Sequence, residues 1–326
     1  MTGFPNRIEI NKKSVALLIF IVLWCIVMLV KLEQLVHVPA RMERVGNTHQ
    51  PAMNTRTTPR QVLEQKPSCN DTYSTNLMPA GTFPLVALAS FPGSGNEWVR
   101  NMIERATGYA TGSVYHIQSL EKDFIGEMQN IAAGETIVSQ MHDYWLGYTN
   151  KRDGQISIEK AILIMRNPYQ AMIDEFIRLG FGKKGIVDEN RFRSEAWSVF
   201  VSETFKSKRW LELPRTLFDI CNHDGADSLC RSILIVYYDN LENKLDDELR
   251  RIMKFLDVDV NEHRLSCSVA SADASPHRPH PPNLSFDPFT KEHHERLDED
   301  LKTFHQWLVQ EGLPQSPPSF SLDTIM

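Results

Sequence analysis

The chain has 326 residues, and 35 Lys and Arg against 41 Asp and Glu leave a net charge of −6. That acidity argues against a nucleic-acid partner, which needs a basic face. A hydrophobic fraction of 42% excludes a fully disordered chain, and no internal repeat points to a solenoid or propeller.

From Val15 to Val30 run sixteen residues without a charge, and Ser14 extends the run. Arg7, Lys12 and Lys13 precede it, whereas Lys31 and Glu33 nearly cancel after it. This pattern predicts a cytoplasmic tail over 1–13 and a membrane-spanning signal anchor over 14–30, with the rest luminal. A cleaved signal peptide is the rival, but its apolar core is shorter and ends in small residues. Residues 31–80 hold five prolines and no sustained apolar period, which predicts a flexible stem. About 240 residues remain, enough for one large α/β domain over 81–313, with 314–326 as a tail.

Asn70-Asp71-Thr72 and Asn283-Leu284-Ser285 are glycosylation sequons, plausible at Asn70 and Asn283 in a luminal chain. Cys69, Cys221, Cys230 and Cys267 lie beyond the apolar run, an even number in an oxidising compartment. Four cysteines allow three pairings. The short polar loop between Cys221 and Cys230 favours that pair, leaving Cys69–Cys267 to tie the stem to the domain. The alternative is four buried thiols.

In the domain, Phe83 to Ser90 reads as a buried strand ending at a Pro and two Gly. Glu97 to Thr107 has helical apolar spacing, stopped by Gly108. Glu135 to Gln140, Lys160 to Met165 and Ser232 to Tyr238 are further strands. Pro168 opens a helix running to Gly180. Leu241 to Leu256 and Thr290 to Glu311 read as amphipathic helices. This alternation predicts a mainly parallel, P-loop-like sheet flanked by helices, with ligands at the carboxyl ends of its strands.

The most informative segment is Leu88 to Trp98, LASFPGSGNEW. A strand enters a Gly-rich turn and a helix leaves it, so backbone N–H groups converge where a phosphate would sit. No G-K-[ST] follows, which disfavours a Walker-type kinase or ATPase. The bland reading is a tight turn with Asn96 as helix cap. Arg166, where the third strand ends, is placed for a bidentate phosphate contact, or else for a surface ion pair.

The loop PGSGNEW, the strand end RNP and the segment VYYDNLENKLDDELRRIMKFLDV resemble the PAPS-dependent sulfotransferases, PAPS being 3′-phosphoadenosine-5′-phosphosulfate. More narrowly, FPGSGNEWVRNMIERATG, TGSVY, AILIMRNPYQAMIDEF, FLDVDVNEHRLSC and FDPFTKEHHERL resemble the WSCD family, the WSC-domain-containing sialate O-sulfotransferases. The likeness covers roughly residues 83–312. It implies a short member without WSC modules, a sulfotransferase fold, PAPS as co-substrate with no metal, a glycan acceptor that can be sialylated, and a Golgi location. It also implies residue roles. Gly93, Ser94, Gly95 and Asn96 would cradle the 5′-phosphosulfate, and Trp98 would stack near adenine. Arg166 would hold the 3′-phosphate, with His277 and Arg278 near it and Tyr238 on the adenine side. His142, after the second strand, would be the general base, a role that suits imidazole.

Four positions depart from general sulfotransferase chemistry. Gly93 and Gln140 stand where lysines are usual, Glu97 where a Thr binds phosphate, and Asp174 where a Ser binds the 3′-phosphate. A carboxylate about 5 Å from one phosphate charge costs roughly 3 kcal/mol at an effective dielectric near 20. Glu97 could instead cap its own helix and Asp174 pair with Arg178, while Arg100, Arg105, Lys183 and Lys184 could restore positive charge. The same departures fit a second expectation, a luminal binding protein that keeps the fold without catalysis.

Overall fold

The computed structural model describes residues 69, 74–142, 158–181, 188–207, 209–221, 230–275 and 284–320, all within the unit Gln65–Met326. The expected anchor at 14–30 lies outside them. Among the described residues no helix is long and apolar enough to cross a membrane.

Five strands form one sheet in the order β2-β3-β1-β4-β5. They are β1 (Val86–Ser90), β2 (Gly112–Ser113), β3 (Ser139–Met141), β4 (Lys160–Met165) and β5 (Ser232–Tyr237). Every pairing is parallel. Parallel strands are buried on both faces, which is why β1 and β4 read as apolar runs rather than alternating ones. Ala87, Ala89, Leu163 and Met165 face one core; Val86, Leu88, Ile162 and Ile164 face the other. The second core is closed by α1 (Asn96–Thr107), α6 (Leu245–Phe255) and α7 (Glu262–Ala270). The first is closed by α2 (Pro168–Phe176), α3 (Glu195–Ser207), α4 (Arg209–Cys221) and α8 (Lys291–Gln310).

Several expected elements change at their edges. Tyr238 does not end β5; it opens α5 (Tyr238–Asn243), so the helix expected over 241–256 is two helices meeting at Lys244. The helix after Pro168 keeps α form to Phe176 and ends in a wide turn over Ile177–Phe181, where Gly180 has φ 94°. The packed chain also extends past both expected boundaries. Asn76 bridges to Tyr109, while Tyr237 donates to the Pro314 carbonyl at 2.8 Å and Phe320 is fully buried. Both favoured disulfides are present, Cys69–Cys267 and Cys221–Cys230. Asn70 and Asn283 lie outside the described residues, although Ser285 of the second sequon is bonded to Glu189.

Strand order reverses at β1: the chain visits β2 and β3 on one side of it, then β4 and β5 on the other. Such a switch point opens a crevice at the carboxyl ends of the strands.

Candidate active site

Three adjacent strands deliver chemistry to that crevice. β1 ends at Ser90 and enters the loop 91–95, β3 is followed by His142, and β4 is followed by Arg166. Gly93 and Gly95 both take left-handed backbone, φ 79° and 87°. Gly95 is the N-cap of α1 and supplies no side-chain cap, so the first amides of the helix point outward, as an anion requires. Asn96 is not the cap. Its Nδ2 donates back to the Leu88 carbonyl at 2.9 Å and to Ser90 Oγ at 3.1 Å, closing the loop on its own strand. A Cβ on Gly93 would stand 2.1 Å from the Ala171 carbonyl oxygen, which explains why no lysine occupies the loop here.

Arg166 is 1% exposed and Nη1 donates to the Gly93 carbonyl at 2.7 Å. Its guanidinium lies 4.3 Å over the Tyr238 ring. The same Nη1 makes a short ion pair with Asp174, and the two side chains are only 1% and 11% exposed. The expected Asp174–Arg178 pair does not form. Arg178 is held by Glu175 through two bonds of 2.6 Å, and those bonds raise its pKa. Among buried polar atoms, Ser94 Oγ, Asn96 Oδ1 and Arg166 Nε have no hydrogen-bond partner, and all three belong to the loop and the arginine braced against it.

His142 has both ring nitrogens engaged. Nδ1 lies 2.9 Å from the Ser90 carbonyl, which only accepts, so it carries the proton. Nε2 lies 3.1 Å from the Gln140 amide nitrogen, which only donates, so it holds the lone pair. Gln140 cannot flip, because its Oε1 accepts from Arg100 Nη1 at 2.7 Å. The His142 amide donates to Tyr115 Oη at 2.7 Å and the two rings stack, with centroids 5.4 Å apart.

Arg100 does not restore charge at the loop. It is fully buried, bonded to Glu127 and Thr111, and burial pushes its pKa down while Glu127 opposes the shift. Arg105 is committed to Ser271. Trp98 is a core residue with no exposed ring face for a base; its Nε1 donates to the Ala272 carbonyl at 3.3 Å. Tyr238 is 1% exposed and supports Arg166. His277, Arg278, Lys183 and Lys184 lie outside the described residues. Sequence reasoning missed Glu127, Tyr115 and the linking role of Gln140. The departure from K-T-H at Gln140 marked the position, but nothing local could name its partners.

Fold and site define a parallel α/β protein with a glycine-rich turn between its first strand and first helix. No family model matches the chain. The WSCD family member AAEL009094 of Aedes aegypti is 32% identical over 222 residues, 66% of this chain and 63% of that protein. GA21586 of Drosophila pseudoobscura pseudoobscura is 34% identical over 210 residues, 64% and 61% of the two chains. CG9164 of Drosophila melanogaster is 33% identical over 214 residues, with shares of 64% and 61%. The chain is a relative of the WSCD family, and it spans less than two thirds of the length of these curated relatives. Among solved structures, mouse sulfotransferase SULT7A1 complexed with PAP aligns at a TM-score of 0.43 with 16% identity, covering 72% of this chain and 88% of that one. A sulfotransferase from Alicyclobacillus acidocaldarius aligns at 0.34 with 11% identity, covering 73% and 98%.

Proposed function

We propose that this chain is a sulfotransferase that moves a sulfuryl group from an adenosine phosphosulfate, PAPS in the family it resembles, to a hydroxyl of a glycan. One observation carries the reading: the glycine loop, Arg166 and His142 meet at the ends of three neighbouring strands, with Arg166 Nη1 2.7 Å from the Gly93 carbonyl and His142 Nδ1 2.9 Å from that of Ser90. The unpartnered Ser94 Oγ fits an anionic 5′ end, and the unpartnered Arg166 Nε fits a second anionic group beside the loop. Gly93, Ser94, Gly95 and Asn96 would hold it through backbone amides and the Ser94 hydroxyl. The donor supplies an activated sulfuryl group; this chain's residues supply position and electrostatics. His142 receives the acceptor's proton at Nε2, where the hydroxyl takes the place of the Gln140 amide. The Ser90 carbonyl holds Nδ1–H and keeps the ring in the tautomer that the step needs.

The sialylated acceptor is part of the proposal through the resemblance alone. The proposal also places the chain as a type II membrane protein of the Golgi with a luminal domain. Two disulfides support an oxidising compartment, and the apolar run at 14–30 supports the anchor.

A second reading, a luminal binding protein without catalysis, is favoured by Asp174 on Arg166. The test is transfer of label from radiolabelled PAPS and adenosine 5′-phosphosulfate, assayed in parallel, to sialylated and desialylated glycoproteins. His142→Ala should lower the rate by about 10² to 10⁴. Nucleotide binding without transfer to any glycan would select the second reading.

A further inference from the structure

The side chain of Glu127 is fully buried, and its two oxygens bond different segments of the chain. Oε2 accepts from Arg100 Nη1 at 2.7 Å. Oε1 accepts from the Ile117 amide at 3.0 Å. This second bond reaches the turn that follows β2, at the carboxyl end of the sheet. His116, in that turn, has φ 48°. A β-carbon disfavours such a left-handed backbone, which persists only where the surroundings over-determine it. On one side of His116, Glu127 holds the Ile117 amide. On the other, Tyr115 stacks on His142 with centroids 5.4 Å apart and planes 23° apart, and its Oη accepts from the His142 amide at 2.7 Å. The His116 ring itself meets the Gln129 carbonyl at 3.2 Å, but in an exposed position. Glu127 is in turn fixed to β2: Gly126 bridges to Gly112, and a Cβ on Gly126 would stand 2.4 Å from the Thr111 carbonyl oxygen.

Both groups that face Glu127 are N–H donors. A carboxylate accepts from both, whereas an amide has one acceptor oxygen and an NH2 that only donates. A glutamine here would satisfy Arg100 or Ile117, not both. The ring of His142 needs what the turn supplies. The Ser90 carbonyl and the Gln140 amide meet it at its two nitrogens, which leaves it free to tilt about the line joining them, and a stacked ring removes that tilt. We infer that Glu127 is a positioning residue for His142: through Ile117 it holds the strained turn at His116 and so keeps the ring and hydroxyl of Tyr115 against the imidazole. Its own bonds go to Arg100 and Ile117 and to no reacting group. The inference rests on the reading of His142 as the base and adds to it what fixes the face of its ring.

The test combines NMR of the full-length chain in detergent, isotope-labelled in histidine, with the label-transfer assay above. The His142 signals are identified by their loss in His142→Gln. In the wild type the His142 ring protons should carry the upfield shift of protons held over an aromatic face. Glu127→Gln, which keeps Arg100 satisfied and gives up Ile117, should shrink that shift. Its kcat should fall about tenfold to a hundredfold while the nucleotide KM stays within about twofold, since the glycine loop and Arg166 are untouched. Tyr115→Leu should lower kcat similarly, and the double variant should be no worse than either single one, because one chain of contacts is cut twice. Losses that simply add overturn the inference. So does an unchanged ring shift in Glu127→Gln, or a shrunken shift with full kcat. If the wild type transfers no label, the donor reading falls by itself and the ring shifts alone decide the inference. Should Glu127→Gln fail to fold, hydrogen exchange of the wild type decides: an Ile117 amide as well protected as that of His142 supports the clamp, and a fast-exchanging one overturns it.

Discussion

Arg100 and Glu127 form an ion pair of 2.7 Å in which neither side chain is exposed. A buried pair seldom adds net stability, because desolvation offsets attraction. This one is bonded throughout: Arg100 also donates to Thr111 and to Gln140, and Gln140 donates to His142. The pair therefore determines which way Gln140 faces, and through it the tautomer of His142.

Removing one partner leaves the other charge buried. Glu127→Ala should lose about 3–5 kcal/mol of unfolding free energy, and Glu127→Gln, which still accepts from Arg100, should lose less. Denaturant titration of both variants measures this; a loss under 1 kcal/mol for the alanine variant would mean that water reaches Arg100.

Gly93 has φ 79° and lies against the backbone of α2. In Gly93→Ala the left-handed backbone alone costs roughly 1–2 kcal/mol, and the 2.1 Å approach to the Ala171 oxygen adds to it. Thermal unfolding should show a clear fall. An unchanged Tm would place the loop further from α2 than described.

The Cys69–Cys267 bridge spans 198 residues and Cys221–Cys230 spans 9. Loop entropy predicts contributions of about 5 and about 3 kcal/mol. Cys267→Ser should therefore destabilise more than Cys230→Ser, compared by chemical denaturation. The reverse order would show that the long bridge closes a denatured state already compact.

His293 caps α8: its Nδ1 accepts from the Thr290 amide at 3.2 Å. Burial, the largest cause, lowers its pKa below the usual imidazole value; His294 and Arg296 act the same way, against Glu292 and Asp287. With the folded value below the unfolded one, the unfolded chain binds the proton first. The stability is present above about pH 6.5 and is lost as pH falls through the folded value. His293→Gln keeps the cap without a titrating group. Melting curves at pH 7.5 and 5.0 should show the wild type losing more than the variant; equal losses would remove His293 as the cause.

Much of the fold is legible in the sequence, because its signals are local. The apolar runs of β1 and β4, the Gly-rich turn and the proline at 168 are read within a few residues, and they place the loop and Arg166 at strand ends. The α3–α4 helix pair was not expected; Pro214 stands inside α4, where a proline ordinarily signals a break. Short loops likewise favoured Cys221–Cys230.

Side-chain pairing is a different matter. Asp174 has Arg178 one turn away, yet pairs with Arg166 eight residues back, because α2 folds over the end of β4 and turns Asp174 inward. Arg100 finds Glu127 and Gln140, 27 and 40 residues away, only after β3 lies beside β1. Periodicity and turn chemistry act over one or two turns of chain and so determine elements and their order. Which charge meets which depends on how those elements stack, and only the tertiary structure decides that.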